Sequence, residues 1–170
     1  MVITDRLSKG VILEGLKEIT AEAVAECFVR CFYRYHGFPK AIVSDRGVQF
    51  VGDMWTRVCR LLRVVRRIST AFHPKTDGST ERINQQVETY LRAFISYAQD
   101  DWEFLLAMAQ LSINNREAAS TGVSPFFLTH GYNMDVVQLE GELQSYVVTE
   151  SPTQKADNLV RRLRDAFQWA

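Results

Sequence analysis

The chain lacks most of the features that place a protein in a class by inspection. Its 170 residues contain no apolar run near the ~18 that a membrane helix needs, and residues 1–20 do not form a signal peptide. No internal repeat or low-complexity tract stands out. Formal charge is absent too: 20 Lys and Arg balance 20 Asp and Glu, so the overall excess of positive charge that marks many nucleic-acid binders is missing. Cysteine is scarce and odd in number, with Cys27, Cys31 and Cys59 alone. No His/Cys set at zinc-site spacing accompanies them, which excludes a zinc module. They read as core thiols of a protein kept in a reducing compartment.

What is present is an ordinary soluble composition, 46% hydrophobic and 24% charged, in a length that suits one domain with a proper core. The charge is unevenly placed. Residues 30–92 carry twelve Lys and Arg against five Asp and Glu, a local excess of seven positive charges. Arg57, Arg60, Arg63, Arg66 and Arg67 are its densest part. Two readings of that cluster stand side by side: a solvated helix face with strand-end arginines, or a face that meets phosphates.

Periodicity predicts alternating strands and helices. Short strands are expected over residues 1–4 and 10–16, around a turn at Arg6–Lys9. Thr20 is placed to cap a helix running to about Tyr35, with Val24, Cys27, Phe28, Cys31, Phe32 and Tyr35 as its inner face; His36-Gly37-Phe38-Pro39 stops it. A buried strand over Ala41–Ser44 ends at Asp45. A helix from Gly52 or Asp53 to about Leu62, packing Met54, Val58, Leu61 and Leu62, leads to a strand over Val64–Ser69. The loop Thr70–Ser79 is rich in turn formers. A long helix then carries Ile83, Val87, Tyr90, Leu91, Phe94 and Ala98, with Glu81 in its first turn. Asp101 is expected to cap a helix bearing Trp102, Leu105, Leu106, Ala109 and Ile113, and Ser124-Pro125 reads as an N-cap followed by proline at the first helical position. The histidines carry little: His36 and His130 precede glycines at element ends, and His73 either orders its loop or faces solvent.

Asp45 and Glu81 are the chemically suggestive pair. Each sits at the end of a different element, and 35 residues lie between them. Carboxylates arranged in this way can converge on a divalent cation, as in phosphoryl-transfer sites on nucleic acids. Taken alone, Glu81 is also an ordinary first-turn residue at the positive end of a helix.

Three segments, "AIVSDRGVQF", "STAFHPKTDGSTER" and "INNREAASTGVSPFFLTHGY", give the chain a specific resemblance over about residues 1–135 to the integrase catalytic core of gypsy-class LTR retrotransposons, relatives of retroviral integrases. That family has a ribonuclease H-like fold and uses two aspartates and a glutamate, the last two separated by 35 residues. Asp45 and Glu81 match those two. The first aspartate of the family lies on its first strand, whereas Met1–Lys9 here resembles the second strand, so Asp5 matches a strand-end turn and not the catalytic position. The 39 residues between Asp5 and Asp45 would suit a triad, but the segment match places Asp5 elsewhere.

The resemblance implies an α/β, ribonuclease H-like mixed sheet flanked by helices and lacking its first, central strand, which leaves strand edges facing a gap. Residues 1–135 would be a partial core, 136–152 a linker, and 153–170 a C-terminal helix opening a truncated further segment. Asp45 and Glu81 would be catalytic and would bind Mg²⁺ or Mn²⁺. Lys75, Arg82, Asn84 and Gln85 would contact nucleic acid. The implied activity is metal-dependent joining of element DNA 3′ ends to target DNA in the nucleus, by a homo-oligomer when intact and with no membrane involved. With one ligand of three missing, the expected state is inactive. The alternative is a non-catalytic remnant that binds nucleic acid or dimerises. A third reading, another ribonuclease H-like nuclease or transposase, fits the "STGVSPFFLTHGY" segment less well.

Overall fold

A computed structural model describes residues 1–69, 78–94, 102–135 and 152–168. The chain divides into two compact units, Met1–Thr4 with Ile12–Glu88, and Asp5–Val11 with Thr89–Ala170. Residues 136–151 of the expected 136–152 linker, the Thr70–Asp77 part of the expected loop, and Ala98 and Asp101 lie outside the described residues, while Pro152 begins a helix.

The first unit is built on two short sheets and several helices. Strand β1 (Val2–Thr4) pairs with β2 (Val11–Leu13), and β3 (Ala41–Ser44) pairs in parallel with β4 (Val65–Ile68). The β3–β4 register sets Ala41 opposite Val65 and Ser44 opposite Ile68. No strand joins the two sheets among the described residues. This is the interrupted sheet expected of the fold without its first strand. The interruption also explains why β3 is less buried than its sequence suggests: Ala41 is exposed, Ile42 and Val43 are half-buried, and only Ser44 is covered. Two strands cannot screen both faces of their own sheet.

Thr20 caps helix α1 (Ala21–Phe28), its hydroxyl accepting from the Ala23 N–H at 3.1 Å. The helix continues through a π-helical turn (Val29–Tyr33) into the short α2 (Arg34–His36) and stops at Gly37, whose φ of 70° needs no Cβ relief. The wide turn is the reason one expected inner-face residue is lost. It inserts an extra residue into the helical repeat, so Tyr35 turns outward and is exposed, while Phe32 stays against the core.

The short helix α3 (Val48–Val51) precedes α4 (Asp53–Leu61). The inner face of α4 is Trp55 and Cys59, with Met54 and Leu61 exposed; of the expected stripe Val58 is half-buried and Leu62 packs against the core. Trp55 decides the phase, because it is the largest side chain available for burial. It meets Phe28 edge-on at 5.9 Å and Phe50 at 5.9 Å. Val24, Ala25, Phe28, Trp55, Cys59 and Val64 form the core, with Ile3 of β1 and Ile42 of β3 packed against it. Full burial of each large side chain there contributes roughly 1.5–3 kcal/mol.

Helix α5 (Gly78–Phe94) buries Val87 and Tyr90 and half-buries Ile83, Leu91 and Phe94. In the second unit, α6 (Trp102–Asn114) packs against α8 (Pro152–Gln168). It buries Leu105, Leu106, Met108, Ala109 and Ser112, whereas Trp102 lies at its exposed start. Ser124 caps α7 (Pro125–His130) as expected, accepting from the Phe127 N–H at 2.9 Å. Two adjacent asparagines clamp distant backbone. The Asn114 amide donates to Val11 O and accepts from Val11 N, both at 2.8 Å. Asn115 does the same with Met134 at 3.0 and 2.8 Å. Each amide completes a backbone pairing that would otherwise be unmet.

Candidate active site

Asp45 follows the last residue of β3, where the ladder ends with Ser69 N–H donating to Ser44 O at 2.8 Å. Its Oδ1 accepts from the Gly47 N–H at 2.8 Å, which closes a local Asx turn and fixes the carboxylate at the strand end. The side chain is exposed, and Oδ2 has no protein donor among the described residues. Glu81 stands in the first turn of α5, also exposed. Glu81 and Gln85 follow one another at i and i+4 on the side of α5 away from Val87 and Tyr90, with Asn84 beside them. Arg82, Asn84 and Gln85 are all exposed. Asp45 and Glu81 therefore belong to the same compact unit and both present carboxylates to solvent. Lys75 and His73 lie outside the described residues.

These donors suit a hard divalent cation in type, since such ions take carboxylate oxygens. They fall short in number. Among the described residues no group of three or more His, Cys, Asp or Glu side chains could hold a metal ion.

Asp5 is employed differently. Its Oδ2 accepts from the Ser8 N–H at 2.8 Å and from the Ser8 hydroxyl at 2.7 Å, inside the β1–β2 turn. Partial burial works to raise its pKa, but hydrogen bonds from the Ser8 side chain and the Ser8, Leu7 and Arg6 backbone outweigh it. The group is held below its ordinary 3.8. This is the strand-end turn residue that the segment match implies.

The three cysteines are buried and free. Burial, and then the neighbouring Cys27, push Cys31 up to about 12, and burial raises Cys59. Thiols so disfavoured as thiolates are neither nucleophiles nor ligands. His36 and His130 are exposed and lie tilted against the rings of Phe32 and Phe126 at the ends of their helices. No helix of the described residues is long and apolar enough to cross a membrane.

Comparison with known proteins gives this arrangement its context. No family model matches the chain. The Tf2-3 and Tf2-4 transposon polyproteins of Schizosaccharomyces pombe are each 34% identical to it over 140 residues, which cover 82% of this chain and 10% of each polyprotein. The chain thus matches about a tenth of the length of these relatives. Among solved structures, the catalytic core domain of BIV integrase superposes with a TM-score of 0.59 at 23% identity, covering 75% of this chain and 82% of that one. The HTLV-2 integrase catalytic core, solved in complex with magnesium in a trimeric form, gives 0.57 at 19% identity, covering 76% and 82%. The chain is thus similar in sequence to a part of retrotransposon polyproteins and shares the fold of retroviral integrase catalytic cores.

Proposed function

We propose that the chain is the integrase core segment of a retrotransposon polyprotein, descended from an enzyme that joins element DNA 3′ ends to target DNA. Asp45 and Glu81 are two of the carboxylates of its Mg²⁺ or Mn²⁺ site. The observation that carries this reading is their placement: Asp45 at the carboxyl end of a parallel strand and Glu81 in the first turn of a long helix, both exposed in one compact unit. A divalent cation bound there would polarise phosphate oxygens and offset charge developing at phosphorus. The protein's own part is positional. The Gly47 N–H holds the Asp45 carboxylate, the helix start presents Glu81, and Arg82, Asn84 and Gln85 line the adjacent exposed surface for DNA. Lys75 would meet a phosphate from the preceding segment. DNA joining of this kind would take place in the nucleus, by an assembly of more than one copy.

Loss of either carboxylate should cost orders of magnitude in the rate of joining, as it does for a member of any catalytic set. The second reading is a non-catalytic core that binds DNA or self-associates, and it is the outcome if the two carboxylates bind no metal. Mn²⁺ titration followed by NMR tests the metal assignment. Paramagnetic broadening should concentrate on the amides around Asp45–Gly47 and Glu81, and Asp45→Asn or Glu81→Gln should abolish it. Broadening spread evenly over surface carboxylates would contradict the assignment.

A further inference from the structure

Strand β4 alternates exposed Val65 and Arg67 with half-buried Arg66 and Ile68. In the parallel register Ile42 of β3 lies beside Arg66, and Ile42 packs on the core. The strand therefore turns an arginine toward the side that carries the core, where a β-branched apolar residue is the ordinary choice. A guanidinium placed there loses water and needs hydrogen bonds in return. Arg66 has them: it donates to Phe50 O at 2.9 Å and to the Thr56 hydroxyl.

The two acceptors flank one joint of the chain. Phe50 O belongs to α3, a helix of four residues whose carbonyls lack intrahelical partners. Thr56 Oγ1 in turn donates to Gly52 O at 2.8 Å, at the start of α4. Helix α3 has little else to hold it. None of its residues is buried, Val48 is 78% exposed, and no side chain caps its N-terminus. Phe50 packs against the core, with its ring 5.9 Å from Trp55.

The other end of α3 reaches Asp45. Phe50 N–H and Val51 N–H donate to Gly47 O at 2.8 and 3.1 Å, and Gly47 N–H donates to Asp45 Oδ1 at 2.8 Å. Hydrogen bonds thus run in series from Arg66 on β4, through the Phe50 and Gly47 backbone, to the carboxylate. Bonds joined in this way polarise one another. Release of α3 at its Phe50 end would free the Gly47 amide to turn away from Asp45.

We propose that Arg66 is a positioning residue for Asp45: by anchoring α3 at Phe50 O it holds the Gly47 amide, and through that amide it keeps the carboxylate in one orientation. The coupling stands on the hydrogen bonds, while its use in holding a cation rests on the metal-site reading above. Groups that act behind a metal ligand govern affinity nearly as strongly as the ligand itself.

The test is NMR of the whole chain, first without metal, with Arg66→Met, Arg66→Lys, Thr56→Val and Arg67→Met. The readout is the Gly47 amide proton, which the carboxylate holds downfield; Asp45→Ala supplies its position with that bond gone. Arg66→Met should move the Gly47 signal toward the Asp45→Ala position and leave the Val24 and Cys59 amides of the core in place. Arg66→Lys, which keeps a charged donor, should restore it. Thr56→Val leaves the bond to Phe50 O intact, and Arg67→Met alters the exposed side of β4, so neither should move it. If Arg66→Met loses its cooperative melt, Arg66→Gln, whose side chain is two atoms shorter, repeats the measurement. A Gly47 signal unmoved in the Arg66 variants overturns the proposal, as does an equal displacement in Arg67→Met. Titration with Mn²⁺ follows, and Arg66→Met should weaken binding about 10–100-fold. A Gly47 signal that follows Arg66 in a protein that binds no Mn²⁺ leaves the positioning standing and overturns the metal reading. Binding that needs Asp45 but is unaltered in Arg66→Met does the opposite.

Discussion

Asp5 and Asp45 are the same residue in the same local setting, each following a strand and preceding an arginine, yet the structure uses them for different work. The Asp5 carboxylate is consumed by its own turn. One oxygen takes both the Ser8 N–H and the Ser8 hydroxyl, and the hydrogen bonds hold its pKa down. The Asp45 carboxylate gives one oxygen to Gly47 and leaves the other without a protein donor among the described residues. The lesson is that a candidate ligand must be both fixed and unspent. Gly47 fixes Asp45 through a single bond, while Ser8 leaves Asp5 fixed and largely satisfied.

Several changes would break or sharpen this contrast. The largest effect belongs to the support beneath Asp45. Trp55→Ala should cost about 3–5 kcal/mol by denaturant unfolding, because β3 packs on the cluster that Trp55 fills. Trp55→Phe should cost much less, since the buried indole N–H has no hydrogen-bond partner among the described residues. Equal losses in the two would show that the ring's packing is not what supports the strand.

Next come the aspartates themselves. Asp5→Ala should lower stability by about 0.5–1 kcal/mol, because it strands donors in an exposed turn, and should leave any Mn²⁺ response intact. Asp45→Asn retains an oxygen for the Gly47 N–H and should change stability by less than about 0.5 kcal/mol. The reverse order in chemical denaturation would erase the distinction between a turn residue and a free ligand.

The smallest effect is in the acid limb. The Asp5 pKa is depressed on folding, so its contribution is fully present above the ordinary 3.8 and is lost as pH falls through the lower folded value. The difference in melting temperature between the wild type and Asp5→Asn should hold steady from pH 7 to 5 and narrow below about pH 3.8. A difference that narrows on raising the pH would have the wrong sign for a stabilised carboxylate.

Much of the scaffold was legible in the residues because its signals are local. Thr20 and Ser124 announce their caps by type and position, Gly37 stops a helix, and Ala41–Ser44 reads as a strand. Glu81 was placed in a first turn by the turn formers ahead of it. What escaped depends on contacts that sequence spacing does not carry. The π-helical turn at Val29–Tyr33 turns Tyr35 out. Trp55 and Cys59 displace the expected face of α4 because volume, and not hydrophobicity alone, sets the phase. Asn114 meets Val11 across 103 positions, so nothing near either residue could reveal the clamp. Arg63 could be read as basic but not as left-handed, since only the paired bonds from Arg63 and Val64 disclose it. For the site, residue type and the 35-residue interval brought out Asp45 and Glu81, and the exposure of both is visible only in the folded chain.

The central claim, that Asp45 and Glu81 act together as ligands, is tested most directly by thermal unfolding of the chain with and without Mn²⁺. An ion that binds only the folded state raises stability by mass action, about 2.7 kcal/mol at a hundredfold excess over its Kd. A cooperative melt that Mn²⁺ shifts upward, with the shift lost in both Asp45→Asn and Glu81→Gln and kept in Asp5→Asn, is the predicted result. A melt indifferent to Mn²⁺, or a shift that survives either substitution, would contradict it.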